Sequence, residues 1–552
     1  NDRCGHRIFA ERLLLAMSGT SPQDGVTGRR DIAFAMGGGG FQAFGAYVGI
    51  MAGLLRVSGK VQGKSDPTFA DSGLLDRFGI ISTVSGGAWF VAELAYSAKF
   101  RALIEEIAAK PEVAKELFEK AWVQPWINSF TGGGMLLDMF ASIAKISGKE
   151  GLSQDIHMIG GLWREGPFTW THMVSQLLNV TADIGSDTKL GATDVQEWCR
   201  GKMWLVGHTV VTPSGGDAGV LCCSIAGSTA YSMSAPTPLY IPAKFSIVLG
   251  EGTNSTAPSP YRASSALNPT VALQWAMPNG RWCSCSKHRA KSDSLGEFAG
   301  MTESAGKLPL IDVVSASSAF LGGFLLNSLV SKVASLPHVV FQVWVANAPD
   351  GEGFHVAKEL VQRVLHSETV AGTSFADELA DRSVRALIDG TFTEDTGIAH
   401  AVATGATTVV AFMSSMHRFY DLFQGGATER SSGGVRSLSY PIFAEQQSDV
   451  KQKYEAFERL PMSANSKVLN SVCMGTLSVT TVQNDGFGIA AGRSITLHVI
   501  GVSSPLSQGV GEDFRVYATL VAQVVHDFSE AMATPENSRM IENFVAKMMG
   551  SD

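Results

Sequence analysis

The chain has 552 residues, of which 45% are hydrophobic and 17% charged, a globular composition with enough apolar side chains for a large buried core. Its net charge of −8 and the lack of a long lysine and arginine cluster argue against a nucleic-acid-binding protein, because such proteins carry basic surfaces that neutralise phosphates. Seven cysteines are too few, in a chain this long, for a disulfide-stabilised scaffold.

No stretch of 18 or more consecutive apolar residues occurs, so the sequence predicts no transmembrane helix. Glycosylation-type patterns begin at Asn179 and Asn254 and keep a secretory route open. The compartment is therefore not assigned. The expectation is a soluble or peripheral membrane protein, with a cytoplasmic location slightly favoured. The oligomeric state is not predicted.

The first predicted elements surround a run of four glycines. Residues 1–30 are polar and irregular and are expected to form an N-terminal arm ahead of a single domain at 31–552. An apolar run at 31–36 predicts a buried strand, which ends at glycines 37–40. An apolar helical pattern follows at once, at 41–55.

A second unit of the same kind follows. Residues 78–84 are apolar and predict a buried strand that ends at Ser85, Gly86 and Gly87, and a helical pattern continues to residue 98. Two successive strand, tight turn and helix units are typical of a doubly wound α/β sheet.

The middle of the chain, roughly 100–310, is less regular. It contains helical pieces at 101–122 and 135–146 and a long section at 249–308 that is rich in serine, threonine, proline and glycine. Because long irregular segments inside a compact domain are usually functional or disordered, this part is interpreted as a large inserted cap.

Regular α/β patterning returns after the middle segment. The sequence predicts strands at 339–345, 383–388 and 407–413, a helix at 397–405, a hairpin at 475–503 with a turn at 484–486, and two helices at 513–549. The complete prediction is a three-layer α/β/α domain with a mainly parallel central sheet and a large inserted cap.

Ser85 stands where a strand meets a helix, which is the position of the nucleophile in a nucleophile elbow. Gly86 and Gly87 supply the small residues that such a turn needs, although Thr83 replaces the first glycine of the general pattern. The helix that follows directs its first N–H groups towards developing negative charge. An ordinary turn is the alternative interpretation of this segment.

The glycine run predicts a loop whose backbone can approach a substrate closely. Gly38, Gly39 and Gly40 are candidate N–H donors for an oxyanion hole, which acyl transfer requires. A phosphate or dinucleotide loop is the competing interpretation, and it would need a lysine or a glycine spacing that this segment lacks.

Together, residues 38–43 (GGGFQA), 74–76 (LLD) and 84–89 (VSGGAW) resemble the catalytic domain of cytosolic phospholipase A2 and the wider patatin-like lipases. The resemblance implies a glycine loop that forms the oxyanion hole and a nucleophile at Ser85. It also implies an aromatic residue soon after the nucleophile, a position that Trp89 occupies.

The same family uses a Ser–Asp dyad without histidine, and residues 386–413 follow the order of its aspartate segment, which places the base at Asp389. The resemblance covers 31–99 and 383–415 well, and a serine-rich segment at 315–320 is also similar. The rival position Asp485 is better interpreted as part of a hairpin turn.

Several departures from the family bear on whether the chain is active, and two of them are Thr83 in place of the first elbow glycine and Thr391 in place of the second glycine after the aspartate. Gln42 stands where the family usually has an arginine that is thought to hold the lipid phosphate, and glutamine lacks that charge. Asp395 and Gly397 stand where the family has asparagine and proline. By the resemblance, Gln42, Gly86 and Trp89 are expected to contact the substrate.

The resemblance implies a lipid acyl hydrolase that cleaves fatty-acyl esters of polar lipids and needs neither metal nor cofactor. The short cluster of Cys283, Cys285 and His288 lacks a clear fourth metal ligand. Peripheral membrane contact is a further expectation, through apolar stretches at 135–146 and 320–336. Two alternatives stay open. One is an acyltransferase that uses the same dyad, and the other is a non-catalytic lipid-binding or structural subunit.

Overall fold

The computed structural model covers the parts of the chain that carry the predicted α/β units. It describes residues 28–130, 170–211, 240–252, 309–318, 344–345, 386–414, 416–425, 430–432, 435–437, 441–462, 472–484, 487–502 and 514–548. Most of the predicted N-terminal arm, both apolar stretches proposed to meet a membrane, the Cys283 cluster and Asp485 lie outside these residues.

The strands of the described residues are β1 (Arg29–Met36), β2 (Phe78–Val84), β3 (Met203–Val211), β4 (Tyr240–Val248), β5 (Trp344–Val345), β6 (Ala386–Asp389), β7 (Thr408–Met413), β8 (Phe423–Gln424), β9 (Arg430–Ser432), β10 (Val435–Ser437), β11 (Phe443–Gln446), β12 (Glu458–Leu460), β13 (Val472–Thr480) and β14 (Ser494–Val502). The longer buried strands, such as β2 and β7, lie in the apolar runs of the sequence, and the short strands β9, β10 and β12 are mostly polar.

The α-helices of the described residues are α1 (Gly40–Val61), α2 (Phe69–Ser72), α3 (Gly86–Tyr96), α4 (Ala98–Ala109), α5 (Ala114–Phe118), α6 (Gln124–Phe130), α7 (Trp170–Ala182), α8 (Leu310–Ser317), α9 (Ile398–Ala403), α10 (Met416–Tyr420), α11 (Gln447–Glu455), α12 (Phe514–Ala533) and α13 (Pro535–Met548).

The central sheet is parallel in its middle and antiparallel at its edges. Its strand order is β12-β13-β14-β7-β1-β2-β3-β6-β5, and β4 also pairs with β3. The pairs β14-β7, β7-β1, β1-β2 and β2-β3 are parallel. Parallel strands are normally covered on both faces, and the uninterrupted burial of β2 agrees with that.

Alternate residues of β1 enter two different hydrophobic cores. Phe34 and Met36 pack with residues of α1, α3, α4 and α12, whereas Ala33 and Ala35 pack with residues of α9 and α11. Because successive side chains of a strand point to opposite faces, helices cover both sides of the sheet. The predicted three-layer α/β/α fold is confirmed.

Helix α1 is the central helix of the first core. Among the described residues it is the one helix whose length and composition would allow it to cross a membrane, and 83% of its most apolar window is buried inside the protein. It packs along α12, where Gly45, Gly49 and Gly53 let the two helices approach closely. A core helix satisfies the same criteria of length and composition.

Two strands, β2 and β6, pair with successive parts of the same edge of β3. Strand β4 pairs with all of β3, while β2 pairs with Met203–Gly207 and β6 pairs antiparallel with His208–Val211 on the other edge. Val84 lies opposite Gly207, and Asp389 lies opposite His208. The carboxyl ends of β2 and β6 therefore meet head to head.

Several predicted elements are confirmed. The strands at 31–36, 78–84 and 407–413 form as β1, β2 and β7, and the two helices at 513–549 form as α12 and α13. The hairpin forms from β13 and β14, but its connection is longer than the predicted turn at 484–486.

The segment expected to be a cap contributes to the central sheet. Strands β3 and β4 lie inside residues 100–310, and β3 pairs directly with β2. The apolar run Met203–Val211 explains this pairing, since all of its residues whose burial is described are buried. The extent of a cap stays a prediction.

Candidate active site

Ser85 occupies a strained turn between β2 and α3. Its φ of 52° and ψ of −120° lie outside the regions that a residue with a side chain usually adopts. In the described residues, Asp183 is the other non-glycine residue with positive φ. Such strain persists where the surrounding structure enforces it, and it is typical of functional sites and of nucleophile elbows.

The elbow depends on glycine at the two positions that follow the serine. A Cβ on Gly86 would lie 2.4 Å from the carbonyl oxygen of Gly40, and a Cβ on Gly87 would lie 2.4 Å from that of Met36. Both obstacles are backbone atoms, which cannot rotate away. The first turn of α3 is thus packed directly against the glycine loop.

The structure brings Ser85 and Asp389 together across 304 positions of sequence. The Ser85 hydroxyl donates a hydrogen bond of 3.0 Å to Oδ2 of Asp389. The other carboxylate oxygen, Oδ1, accepts the backbone N–H of Thr391 at 2.9 Å. Ser85 is 5% exposed and Asp389 is 1% exposed, so the pair is largely removed from solvent.

Burial raises the pKa of Asp389 to about 7, because an ionised carboxylate loses its hydration in the interior. Hydrogen bonds from the backbone and side chain of Thr391 oppose this rise, the negative charge of Asp395 adds to it, and the Ser85 hydroxyl opposes it. The result is a carboxylate with a higher proton affinity than a free aspartate, and it lies within reach of a serine hydroxyl.

A serine of helix α8 holds the backbone of the elbow. The N–H of Ser85 donates to Oγ of Ser317 at 3.0 Å, and the Ser317 hydroxyl donates to the carbonyl of Gly207 at 2.8 Å. Ser317 therefore bridges β3 and the elbow. The sequence singled out residues 315–320 as similar to the family, but nothing in the pattern assigned Ser317 this contact.

The glycine loop is anchored by backbone hydrogen bonds on its β1 side. Gly37 N–H donates to the carbonyl of Phe412 at 3.0 Å, and Gly38 N–H donates to that of Asp395 at 2.7 Å. The Tyr47 hydroxyl donates to the carbonyl of Gly37 at 2.8 Å. The N–H of Gly38 thus already donates within the protein and is not available to an oxyanion, contrary to the expectation for this residue. Gly39 and Gly40 stay the predicted oxyanion donors.

Asp395 and Ser85 both lie close to the position that a side chain on Gly38 would occupy. A Cβ on Gly38 would be 2.3 Å from Oδ1 of Asp395 and 3.2 Å from Cβ of Ser85. Oδ2 of Asp395 is 3.7 Å from Nε of Arg418. Burial raises the pKa of Asp395 to about 6, and the positive charge of Arg418 opposes the rise. The sequence marks Asp395 only as a departure from the asparagine of the family that it resembles.

The three residues expected to contact substrate have different surroundings. The indole N–H of Trp89 donates to Oγ of Ser318 at 2.9 Å, and its ring packs on Phe41 at a centroid distance of 4.6 Å. Gln42 is half-buried in the first turn of α1. Gly86 is buried against the glycine loop. Contact of these residues with a substrate stays a prediction.

No histidine is hydrogen-bonded to the dyad in the described part of the chain. His400 is buried in α9 and packs edge-on against Phe487, and burial keeps its pKa well below the usual range. The described residues also contain no group of three or more His, Cys, Asp or Glu side chains arranged to hold a metal ion.

Comparisons with known proteins add little to this geometry. No protein-family model matches the sequence, and no curated protein matches it. Among solved structures, human GIVD cytosolic phospholipase A2 is similar at a TM-score of 0.37 and 10% identity, over 99% of this chain and 66% of that chain. This chain therefore spans just under two thirds of that protein. The similarity is too weak to assign a function.

Proposed function

We propose that the protein is a serine carboxylic-ester hydrolase that cleaves fatty-acyl esters of polar lipids, with Ser85 as nucleophile and Asp389 as base. The observation that carries this proposal is the buried 3.0 Å hydrogen bond from the Ser85 hydroxyl to Asp389, made at a strained strand-to-helix turn. A serine hydroxyl needs such a base because it is a weak nucleophile by itself.

In the first step Oγ of Ser85 attacks the acyl carbonyl carbon while Asp389 takes the hydroxyl proton. The tetrahedral intermediate collapses, the ester C–O bond breaks, and Asp389 returns the proton to the leaving alcohol. In the second step Asp389 takes a proton from water, which attacks the acyl carbonyl carbon. The bond between Oγ of Ser85 and that carbon then breaks, Asp389 returns the proton to Oγ, and the fatty acid is released. The raised pKa of Asp389 supports this role, because a base works best when its pKa is near the working pH.

The negative charge on the carbonyl oxygen would be stabilised by backbone N–H groups. Gly39 and Gly40 have φ angles of 127° and 59°, conformations that favour glycine and that turn the chain between β1 and α1. Helix α3 begins directly after Ser85, and the N–H groups at the start of a helix have no carbonyl partners within it. Two helix starts thus converge on the serine, which is a favourable arrangement for an oxyanion.

The lipid substrate class is supported by the family resemblance of residues 38–43 and 84–89. Gln42 does not select a phosphate head group, since its neutral amide offers hydrogen bonds without the charge that holds a phosphate. The head group of the lipid is therefore not assigned. Esters of glycolipids and neutral lipids belong to the proposed class together with phospholipids. An acyltransferase would use the same residues, and analysis of products with an added alcohol acceptor separates the two reactions.

A fluorophosphonate probe tests the proposal, because it forms a covalent bond only with an activated serine. Wild type should be labelled, Ser85→Ala should not, and Asp389→Asn should be labelled about 10²- to 10⁴-fold more slowly. Circular dichroism serves as the control for folding. A folded wild type that stays unlabelled would contradict the hydrolase and favour a fold kept for lipid binding or assembly.

A further inference from the structure

Asp395 places a second buried carboxyl group beside the Ser85–Asp389 pair, and the proposed reaction does not use it. Both sides of this arrangement meet beside Gly38, because a Cβ on that glycine would be 2.3 Å from Oδ1 of Asp395 and 3.2 Å from Cβ of Ser85. Within the described residues, Oδ1 of Asp395 is buried and has no hydrogen-bond partner. A buried carboxylate oxygen without a donor is costly, so its position calls for an explanation.

The backbone of Asp395 ties the carboxyl group to the glycine loop. Its carbonyl accepts the N–H of Gly38 at 2.7 Å, and the Gly38 carbonyl in turn accepts the hydroxyl of Ser414. The backbone of Asp395 is therefore tied to the loop that carries Gly39 and Gly40, and its side chain starts from a fixed point beside Ser85 and Asp389.

Charged and titratable groups face this pair of carboxyl groups from several elements. Arg418 of α10 lies 3.7 Å from Asp395, and the negative charge of Asp421 acts on Asp395 from the turn after that helix. Tyr47 of α1 and Glu394 both experience the charge of Asp395. His208 of β3 lies opposite Asp389 in the sheet, where burial lowers its pKa to about 4 and so keeps it neutral.

We infer that Asp395 is a positioning residue for the proposed reaction: its carboxylate, held by Arg418 and the glycine loop, repels negative charge on Asp389 and so strengthens that group as a base. The inference rests on the proposed function for its catalytic meaning. The electrostatic relation between the two carboxyl groups is independent of catalysis. Like charges held close in a buried site disfavour a second ionisation.

The direction of the pKa shifts agrees with this order of ionisation. The pKa of Asp395 is raised to about 6 and that of Asp389 to about 7, in both cases mainly by burial, and the charge of Asp395 is a further cause of the rise at Asp389. Arg418 lies 3.7 Å from Asp395 and favours its ionised form, and no cation of the described residues acts on Asp389 in the same way, so Asp395 is expected to ionise first and its negative charge to delay the ionisation of Asp389.

The test is a titration of the Asp389 carboxyl by NMR in the full chain with ¹³C-labelled aspartate, assigned through Asp389→Asn. Asp395→Asn removes the charge and preserves the shape, so the pKa of Asp389 should fall by about 0.5–1 unit. The pH profile of fluorophosphonate labelling should move to lower pH by the same amount. The matched control is Asp183→Asn at an exposed aspartate paired with Lys99, and it should change neither quantity.

A second variant uses the other side of the ion pair. Arg418→Gln should raise the pKa of Asp395, because that carboxyl group loses its cation, and the two carboxyl groups should then titrate together over one widened pH range. Combined with Asp395→Asn, it should have little effect on Asp389. If Asp395→Asn does not fold, Arg418→Gln alone carries the test, and an Asp389 titration that follows a simple one-proton curve in it overturns the inference.

The results separate the inference from the proposed function. An Asp389 titration that stays fixed in a folded Asp395→Asn overturns the inference, even when wild type is labelled normally. A titration that shifts as expected in a protein whose Ser85 never reacts supports the repulsion between the carboxyl groups and contradicts the hydrolase.

Discussion

Val84 and Asp389 lie opposite consecutive residues of β3, so the strands that they end meet head to head along one edge. Ser85 follows the first strand directly, and its hydroxyl reaches Asp389 at 3.0 Å. Because β3 supplies both pairing partners, the distance between Ser85 and Asp389 is determined by the sheet and not by a flexible loop. Sites on rigid elements hold their geometry more tightly than sites on loops.

Ser317→Ala should disturb the elbow without touching the dyad side chains. It removes the acceptor of the Ser85 N–H and a donor to the Gly207 carbonyl, so the Ser85 N–H loses its partner. The expected loss is about 1–3 kcal/mol of stability, together with slower labelling of Ser85. Chemical denaturation and probe kinetics measure the two effects.

Ser246→Ala is the matched control, since that buried hydroxyl has no hydrogen-bond partner in the described residues. Equal effects of the two substitutions would refute the bridge.

Gly86→Ala should deform the elbow, because the new Cβ would be 2.4 Å from the carbonyl oxygen of Gly40. Relief of this overlap requires backbone movement, at an expected cost of about 1–3 kcal/mol and with loss of probe labelling. Gly63→Ala is the control, since that glycine has a φ of 72° but open space around it. It should cost roughly 1 kcal/mol and leave labelling unchanged. A Gly86→Ala protein that labels at the wild-type rate would show that the two helix starts do not need close contact.

The labelling rate of wild type should rise with pH through about 7, the pKa to which burial raises Asp389. The sign follows from the role of the group: a base must be ionised before it can take the serine proton, so acidification below this range removes activity. Single-turnover labelling between pH 5 and 9 measures the profile. A flat profile in wild type, or an identical profile in Asp389→Asn, would be inconsistent with Asp389 as the base.

Asp389→Asn should stabilise the protein at alkaline pH. The folded pKa of about 7 lies above the ordinary value of 3.8, so the folded state retains a proton that the unfolded chain has released. The stability from this group is complete below the unfolded pKa and is lost as pH rises through 7. The advantage of Asp389→Asn over wild type should therefore grow by about 1–3 kcal/mol between pH 5 and pH 8. Denaturation at both pH values tests this, with Asp183→Asn as the control, and an advantage that does not change with pH would contradict it.

The sequence predicts the elements of the elbow and the glycine loop because their signals are local. The strand at 78–84 and the helix after Ser85 follow from a short apolar run and the glycines next to it, and both form as predicted. The position of Asp389 was inferred from a family resemblance, and its distance from Ser85 depends on pairing with β3, which no local pattern encodes.

Long-range packing also explains what the sequence did not reveal. Nothing in the apolar run at 203–211 indicates that it pairs with both β2 and β6, and the sequence alone places it in a cap. The roles of Ser317 and Asp395 depend on contacts with residues far away in the chain. A serine in a helix and an aspartate in a turn are too common to be recognised without those partners.

The most direct test of the account is to look for an acyl group on Ser85. Wild type is mixed with p-nitrophenyl butyrate, quenched in acid at short times and mapped by mass spectrometry. The account predicts a butyryl group on the peptide that contains Ser85 and none in Ser85→Ala. Ester hydrolysis by wild type with no adduct at Ser85, or with an adduct on another residue, would contradict the assignment of Ser85 as the nucleophile.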